Sequence, residues 1–96
     1  MDEFRPSESG AIRAEFKRLY HLALQQGRGQ KFMAAFKTIR AHMISDPEEF
    51  GEPTFDLPHM KLVNYVAIVA PISVEYCVDK VRKIVYLRRI RLLDEH

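Results

Sequence analysis

The chain has 96 residues, of which 47% are hydrophobic and 29% are charged. This composition is typical of one globular domain and excludes a disordered or collagen-like chain. Cys77 is the only cysteine, so a scaffold of intramolecular disulfides is excluded. The net charge of +2 argues against a surface that is basic throughout, so any anionic partner must be met by a local cluster of charge.

The N-terminal sequence lacks the basic start and apolar run of a signal peptide. The longest weakly polar stretch, 63–74, contains Asn64 and Pro71 and is too short to span a membrane. We therefore expect a cytoplasmic protein without a membrane segment.

The first predicted element is an amphipathic helix that follows residues 6–9. Ser7 or Ser9 can cap its first turn, and Gly27 and Gly29 are predicted to end it, because glycine adopts the left-handed conformation without strain. Spacings of three and four place a set of apolar residues on one face of this helix: Ile12, Phe16, Leu19, Tyr20 and Ala23.

Residues 30–45 repeat this helical pattern. Asp46-Pro47 ends the second helix, because proline disfavours a helical conformation of the preceding residue. The short glycine-rich turn between the helices predicts an antiparallel hairpin over 9–45. The apolar stripe of the second helix is typical of a core rather than of a cofactor site, and we expect Phe36 and Ile39, with Phe16 of the first helix, to be buried.

Residues 46–60 are a polar connector with several prolines and a glycine, in which a short strand is predicted at 54–57. A meander over 61–93 follows, divided by turns at Ala70-Pro71 and Asp79-Lys80. Connections this short force neighbouring strands to be antiparallel. The predicted strands are 61–69, 72–78 and 82–92.

Strict alternation assigns the faces of the last two strands. Ile72, Val74, Tyr76 and Val78 share one face of the middle strand, and we expect Val74 and Tyr76 to be buried. In the last strand, alternation places Ile84, Tyr86, Arg88, Ile90 and Leu92 on one face and Val85, Leu87, Arg89 and Arg91 on the other. A regular last strand therefore separates Arg88 from its two basic neighbours.

Together these elements predict a single α+β domain over 1–96. An N-terminal helical hairpin packs on a three- to four-stranded antiparallel sheet, because the amphipathic helices must cover the apolar face of the strands.

The sequence gives little indication of a metal site or a cofactor site. His21, His42, His59 and His96 do not stand in a ligand spacing with one another, with Cys77 or with an acid. The sequence contains neither a phosphate-binding glycine loop nor a nucleophile elbow. We therefore expect no metal and no cofactor, and we expect Cys77 to be a buried or half-buried thiol.

The basic residues of the C-terminal third are the feature most suggestive of function. Arginine binds phosphate through a planar fork of donors, and interleaved tyrosines can stack on bases. There are two alternatives to nucleic-acid binding. The basic strand can be a docking face for an acidic protein, or an exposed edge strand whose charges prevent aggregation. The cluster contains six basic residues and no acid: Lys80, Arg82, Lys83, Arg88, Arg89 and Arg91.

The order of helical hairpin, Asp46-Pro47 connector and meander resembles the RelE/ParE superfamily of small bacterial toxins over residues 9–93. Segment 71–87 carries the same resemblance, because a strand ending in Val78-Asp79 is followed by a turn and a basic, hydrophobic strand. The family has a strand ahead of the helices, for which residues 1–6 leave little room. Two arginines of the family fall on Ser73 and near Leu92 or Leu93 in this sequence.

The resemblance implies the toxin-like component of a type II toxin–antitoxin pair. Such proteins either cut messenger RNA on the ribosome, with basic residues holding the phosphate while the 2′-hydroxyl attacks, or poison DNA gyrase. A cognate antitoxin then wraps the chain with a helix or an extended tail. A non-catalytic interaction module of the same fold is the alternative, and a homodimer can cover the same surface.

Candidate site residues follow from these interpretations. For an endoribonuclease we expect His59, Lys61 and Tyr86 to be catalytic, because histidine titrates near neutral pH and suits proton transfer. For RNA binding we expect contacts from the basic side chains of the last strand and of the turn before it: Arg82, Arg88, Arg89 and Arg91.

Overall fold

The computed structural model describes residues 3–57, 59 and 61–94. Two long helices pack on one face of a five-stranded sheet. Within the described residues, no helix has both the length and the apolar character needed to cross a membrane. The elements in chain order are β1 (Arg5–Glu8), α1 (Gly10–Gln25), α2 (Gly29–Ser45), α3 (Pro47–Phe50), β2 (Glu52–Leu57), β3 (Leu62–Val69), β4 (Ile72–Asp79) and β5 (Ile84–Leu92).

The helical hairpin forms where the sequence predicts it. Ser9 is the N-cap of α1, and its hydroxyl oxygen accepts a hydrogen bond from the backbone amide of Ile12 at 3.1 Å. Gly27 follows α1 with a φ of +73°, in the left-handed region that favours glycine. Gly29, predicted to end α1, is instead the first residue of α2.

The sheet differs from the prediction in strand number and orientation. Its order is β1-β5-β4-β3-β2, and β1 pairs parallel with β5, whereas the other neighbours are antiparallel. The expected antiparallel sheet of three to four strands is therefore wrong. The sequence Arg-Pro-Ser-Glu has no apolar alternation, so only pairing with the edge of β5 makes it a strand.

Two backbone hydrogen bonds hold the start of the chain. The Phe4 amide donates to the carbonyl of Ile44 at 2.9 Å, and the Arg5 amide donates to the carbonyl of Lys83 at 2.8 Å. Phe4 is buried, with the Lys83 ammonium 4.8 Å from its ring centroid. The segment in which the sequence leaves little room for a strand is therefore tied to both α2 and the turn before β5.

The core lies between the helices and one sheet face. Ile39, Val74 and Tyr76 are buried as predicted. Phe16 and Phe36 are only half-buried, because they lie at the margin of the helical hairpin, where their ring centroids are 4.5 Å apart. The fully buried centre contains Leu19, Ala23, Phe32, Ile72, Val78 and Val85.

A buried tyrosine joins the sheet to the end of the hairpin. The Tyr76 hydroxyl donates a hydrogen bond to the carbonyl of Pro47 at 2.7 Å. Burial raises the pKa of Tyr76 far above its ordinary value, so the hydroxyl remains a donor. Gly51 lies directly against this side chain, and a β-carbon there would stand 3.0 Å from the Val66 carbonyl oxygen and closer still to the Tyr76 hydroxyl.

Candidate nucleic-acid interface

The candidate site is the sheet face that points away from the helices, called the open face below. Cross-strand partners share a face, and Tyr76, Val74 and Ile72 of β4 point into the core. Their neighbours in β4 therefore point outward together with their partners in β5. The outward pairs are Asp79 with Ile84, Cys77 with Tyr86, Glu75 with Arg89, and Ser73 with Arg91.

A β-bulge in β5 changes the predicted placement of Arg88. Glu75 pairs with Arg89 and Tyr76 pairs with Leu87, so Arg88 is an extra residue without a partner in β4. Its side chain contacts Asn64, which lies on the open face opposite Cys77. The expected separation of Arg88 from Arg89 is therefore wrong, since the bulge places both on the open face.

The same bulge reverses the phase of the last strand. Val85 and Leu87 point into the core before it, and Ile90 and Leu92 point into the core after it. Ile90 and Leu92 therefore do not share the face of Tyr86, contrary to regular alternation.

One end of the open face contains a groove of about 590 Å³ lined by Lys61, Arg82 and Tyr86. The buried Asp79 shapes this end, because its carboxylate accepts hydrogen bonds from the amides of Val81 and Arg82, each at 3.0 Å. This Asp79 turn extends through 80–83 and is longer than the tight turn predicted at Asp79-Lys80. The groove therefore brings the predicted site residue Lys61 together with Arg82 and Tyr86, which follow it in sequence by more than 20 residues.

The opposite end of the open face contains a smaller groove of about 130 Å³. Arg89 and Arg91 line it together with Ser73 and Glu75. The Glu75 carboxylate lies 3.5 Å from the Arg89 guanidinium, whereas no described acid pairs with Arg91. Both arginines are exposed, so this end offers cationic groups to solvent.

His59 is not brought to either groove. It is exposed, it lines neither groove, and it makes no hydrogen bond with another described residue. Of the positions where the resemblance expects arginine, Ser73 lies on the open face, Leu92 is buried in the core and Leu93 is half-buried. Arg91 is the cross-strand partner of Ser73, so a guanidinium is present beside that position from the neighbouring strand.

Sequence reasoning missed three residues of the open face. Phe55 pairs with Asn64 and is 45% exposed, although its strand was predicted without a functional role. Asn64 is fully buried beneath Arg88. Arg5 pairs with Ile84 at the β1 edge and was missed because β1 itself was missed.

A row of paired residues crosses the middle of the open face from β2 to β1. Two aromatic residues of this row lie on opposite sides of a small central pair. Each step from one strand to the next is about 4.8 Å. The row reads Phe55, Asn64, Cys77, Tyr86 and Ser7. Cys77 is a buried free thiol, as expected.

Comparison with known proteins gives no relative to support or exclude these interpretations. No protein-family model matches the chain, and neither a curated protein nor a solved structure matches it significantly. In the part of the chain that the structure describes, no three histidine, cysteine or acidic side chains form a metal-binding group.

Proposed function

We propose that the open face binds single-stranded RNA, and that the chain acts on RNA or translation as the toxin-like component of a toxin–antitoxin pair. The observation that supports RNA most directly is the charge of the open face. Six basic side chains occur there against three acids, and two of the acids are engaged, Glu75 by Arg89 and Asp79 by backbone amides, whereas Glu52 lies opposite Val66 on the β2 edge. The six are Arg5, Lys61, Arg82, Arg88, Arg89 and Arg91.

Aromatic residues support single strands rather than duplex. Tyr86 and Phe55 flank the central pair of the open face, three strand spacings or about 14 Å apart. A base that is not paired can stack on such a ring, and the neighbouring phosphates can reach guanidinium groups between the rings. Cleavage, where it occurs, is assigned to the groove that contains Lys61, Arg82 and Tyr86, and not to His59.

Topology supports the toxin-like part of the proposal. The resemblance implies a strand ahead of the helical hairpin, and β1 (Arg5–Glu8) is such a strand. The arginine expected at Ser73 is absent, so the phosphate contact there falls to Arg91 from β5.

The test is binding of a fluorescein-labelled ten-nucleotide oligouridylate, measured by anisotropy between 50 and 300 mM salt. Arg89→Gln with Arg91→Gln should weaken binding and reduce the slope of log K against log salt by about 1.4, the value for two phosphate contacts on a single strand. The matched control is Arg13→Gln with Lys17→Gln, which removes the same charge from exposed positions on α1. An equal loss in the control would refute a specific open-face contact.

A second assay separates the toxin from a simple RNA-binding domain. Induced expression in bacteria should arrest growth, and the double variant of Arg89 and Arg91 should relieve the arrest. Binding of oligouridylate without growth arrest would remove the toxin assignment and retain RNA binding.

One observation favours a protein-interaction module as the second candidate function. Ile68 on β3 is 63% exposed, and β2 ends its pairing at Val66, so residues 67–69 form an open sheet edge. An amphipathic partner segment can add a strand there, with its apolar side beside Ile68 on the open face. Ile68→Ser, which removes the exposed apolar group without adding charge, should weaken such binding and leave oligouridylate affinity unchanged.

A further inference from the structure

A buried amide lies at the centre of the open face. Asn64 is 0% exposed in the middle of β3, where apolar residues are usual. A buried amide is costly unless its donors and acceptors are satisfied, so the partners of Asn64 show what its position requires. They lie on three neighbouring strands.

The hydrogen bonds of Thr54 fix the orientation of this amide. The Thr54 hydroxyl donates its hydrogen to the backbone carbonyl of Asn64 at 3.3 Å, so the oxygen of the hydroxyl is left to accept. It accepts from Nδ2 of Asn64 at 2.7 Å. The carbonyl oxygen Oδ1 is thereby directed toward β4 and β5, where it accepts from Nη1 of Arg88 at 2.9 Å and from the Cys77 thiol at 3.5 Å.

Arg88 is held at three points. The bulge projects it onto the open face, Asn64 binds one of its nitrogens, and the ring of Phe55 lies beside its guanidinium with 5.9 Å from the carbon Cζ to the ring centroid. Among the described residues no carboxylate pairs with Arg88, and only one of the five N–H groups of the guanidinium has a protein acceptor. The charge and four donors therefore remain for a ligand.

We propose that Asn64 is a positioning residue that presets Arg88 as a phosphate-binding fork for the RNA backbone. This inference rests on the RNA-binding function proposed above. A neutral amide orients the guanidinium without cancelling its charge, which an aspartate at this position would do. Ordering a long side chain before binding removes an entropic cost, and for one arginine this corresponds to roughly a three- to tenfold gain in affinity.

The test is a double-mutant cycle on oligouridylate affinity at fixed salt. Asn64→Leu removes the acceptor at similar volume, and Thr54→Val removes the group that orients the amide while altering an exposed residue of β2. Each should weaken binding three- to tenfold in the wild-type background and have no effect in an Arg88→Gln background. The salt dependence should fall by about one contact for Arg88→Gln and stay unchanged for Thr54→Val.

Tyr76→Phe is the matched control for loss of stability. It also removes a buried hydrogen bond, but on the core face of the sheet, so oligouridylate affinity should not change. Folding of each variant is checked by circular dichroism. If Asn64→Leu does not fold, the double-mutant cycle is measured with Thr54→Val and Arg88→Gln.

The outcomes separate this inference from the function on which it rests. Equal losses for Thr54→Val with and without Arg88 would show a merely structural role and overturn the positioning inference. No loss for Thr54→Val, with a clear loss for Arg88→Gln, would overturn it as well and leave RNA binding intact. A wild-type chain that does not bind oligouridylate would overturn the proposed function itself, and the inference with it.

Discussion

The contact between Gly51 and Tyr76 gives the sharpest prediction about stability. The backbone of Gly51 has φ −97° and ψ 174°, an extended conformation that any residue adopts, so Gly51→Ala introduces no backbone strain. The added β-carbon, however, would overlap the Tyr76 hydroxyl and stand 3.1 Å from ring carbon Cζ. The substitution therefore tests side-chain packing without backbone strain.

The expected cost follows from two effects. Overpacking at a buried site destabilises by about 1–3 kcal/mol. Displacing the tyrosine also breaks its bond to Pro47, for about 1 kcal/mol more. Gly51→Ala should therefore lower the free energy of unfolding by about 2–4 kcal/mol. Because 1 kcal/mol corresponds to about 4–8 °C in a domain of this size, Tm should fall by at least about 8 °C.

Urea denaturation of four chains measures the coupling: wild type, Gly51→Ala, Tyr76→Phe and the double variant. Phenylalanine lacks the hydroxyl that a β-carbon at position 51 would meet first, so Gly51→Ala should cost about 1 kcal/mol less in that background. Gly10→Ala is the control, because nothing lies within 4 Å of a β-carbon there. Additive costs, or a Gly51→Ala variant as stable as Gly10→Ala, would refute the packing argument.

Three further predictions concern the helical hairpin, each measured by chemical denaturation. Ser9→Ala should cost about 1 kcal/mol through loss of the N-cap, whereas Ser7→Ala on β1 should cost nothing measurable; equal costs would contradict the assignment of the cap. Phe36→Ala should cost about 2 kcal/mol, below the 3–5 kcal/mol of a fully buried phenylalanine, because Phe36 is half-buried. The hydrogen bond from His42 lowers the pKa of Asp46. The wild type should therefore be more stable than Asp46→Asn above about pH 4, and it should lose this advantage as the pH falls further. A stability difference that does not change with pH would contradict this.

Local pattern predicts most of the helices and of the meander. The apolar stripes, Ser9, and the breaks at Asp46-Pro47 and Ala70-Pro71 are local signals, and the elements begin and end within a few residues of them. Strand β1 has no such signal, because its pairing with β5 connects residues that are almost 80 positions apart. Its parallel orientation was therefore beyond reach of the short-connection argument.

The sequence does contain a signal for the bulge, which strict alternation along the last strand overlooks. Leu87 and Ile90 are separated by two arginines, so the apolar positions of the last strand shift from odd to even numbers between them. Strict alternation cannot hold on both sides of such a shift, and an extra residue is the usual remedy. Asn64 gave no comparable signal, because its role depends on Thr54 and Arg88 meeting it across three strands.

The most direct test of RNA binding on the open face is a nuclear magnetic resonance titration of the wild-type chain with ten-nucleotide oligouridylate. Backbone amides and arginine side-chain signals report every face of the molecule at once. Signals of Phe55, Tyr86, Arg88, Arg89 and Arg91 should shift together and saturate, and those of α1 and α2 should stay in place. Shifts confined to the helices, or no saturable shift at 50 mM salt, would contradict the assignment of the open face as an RNA-binding surface.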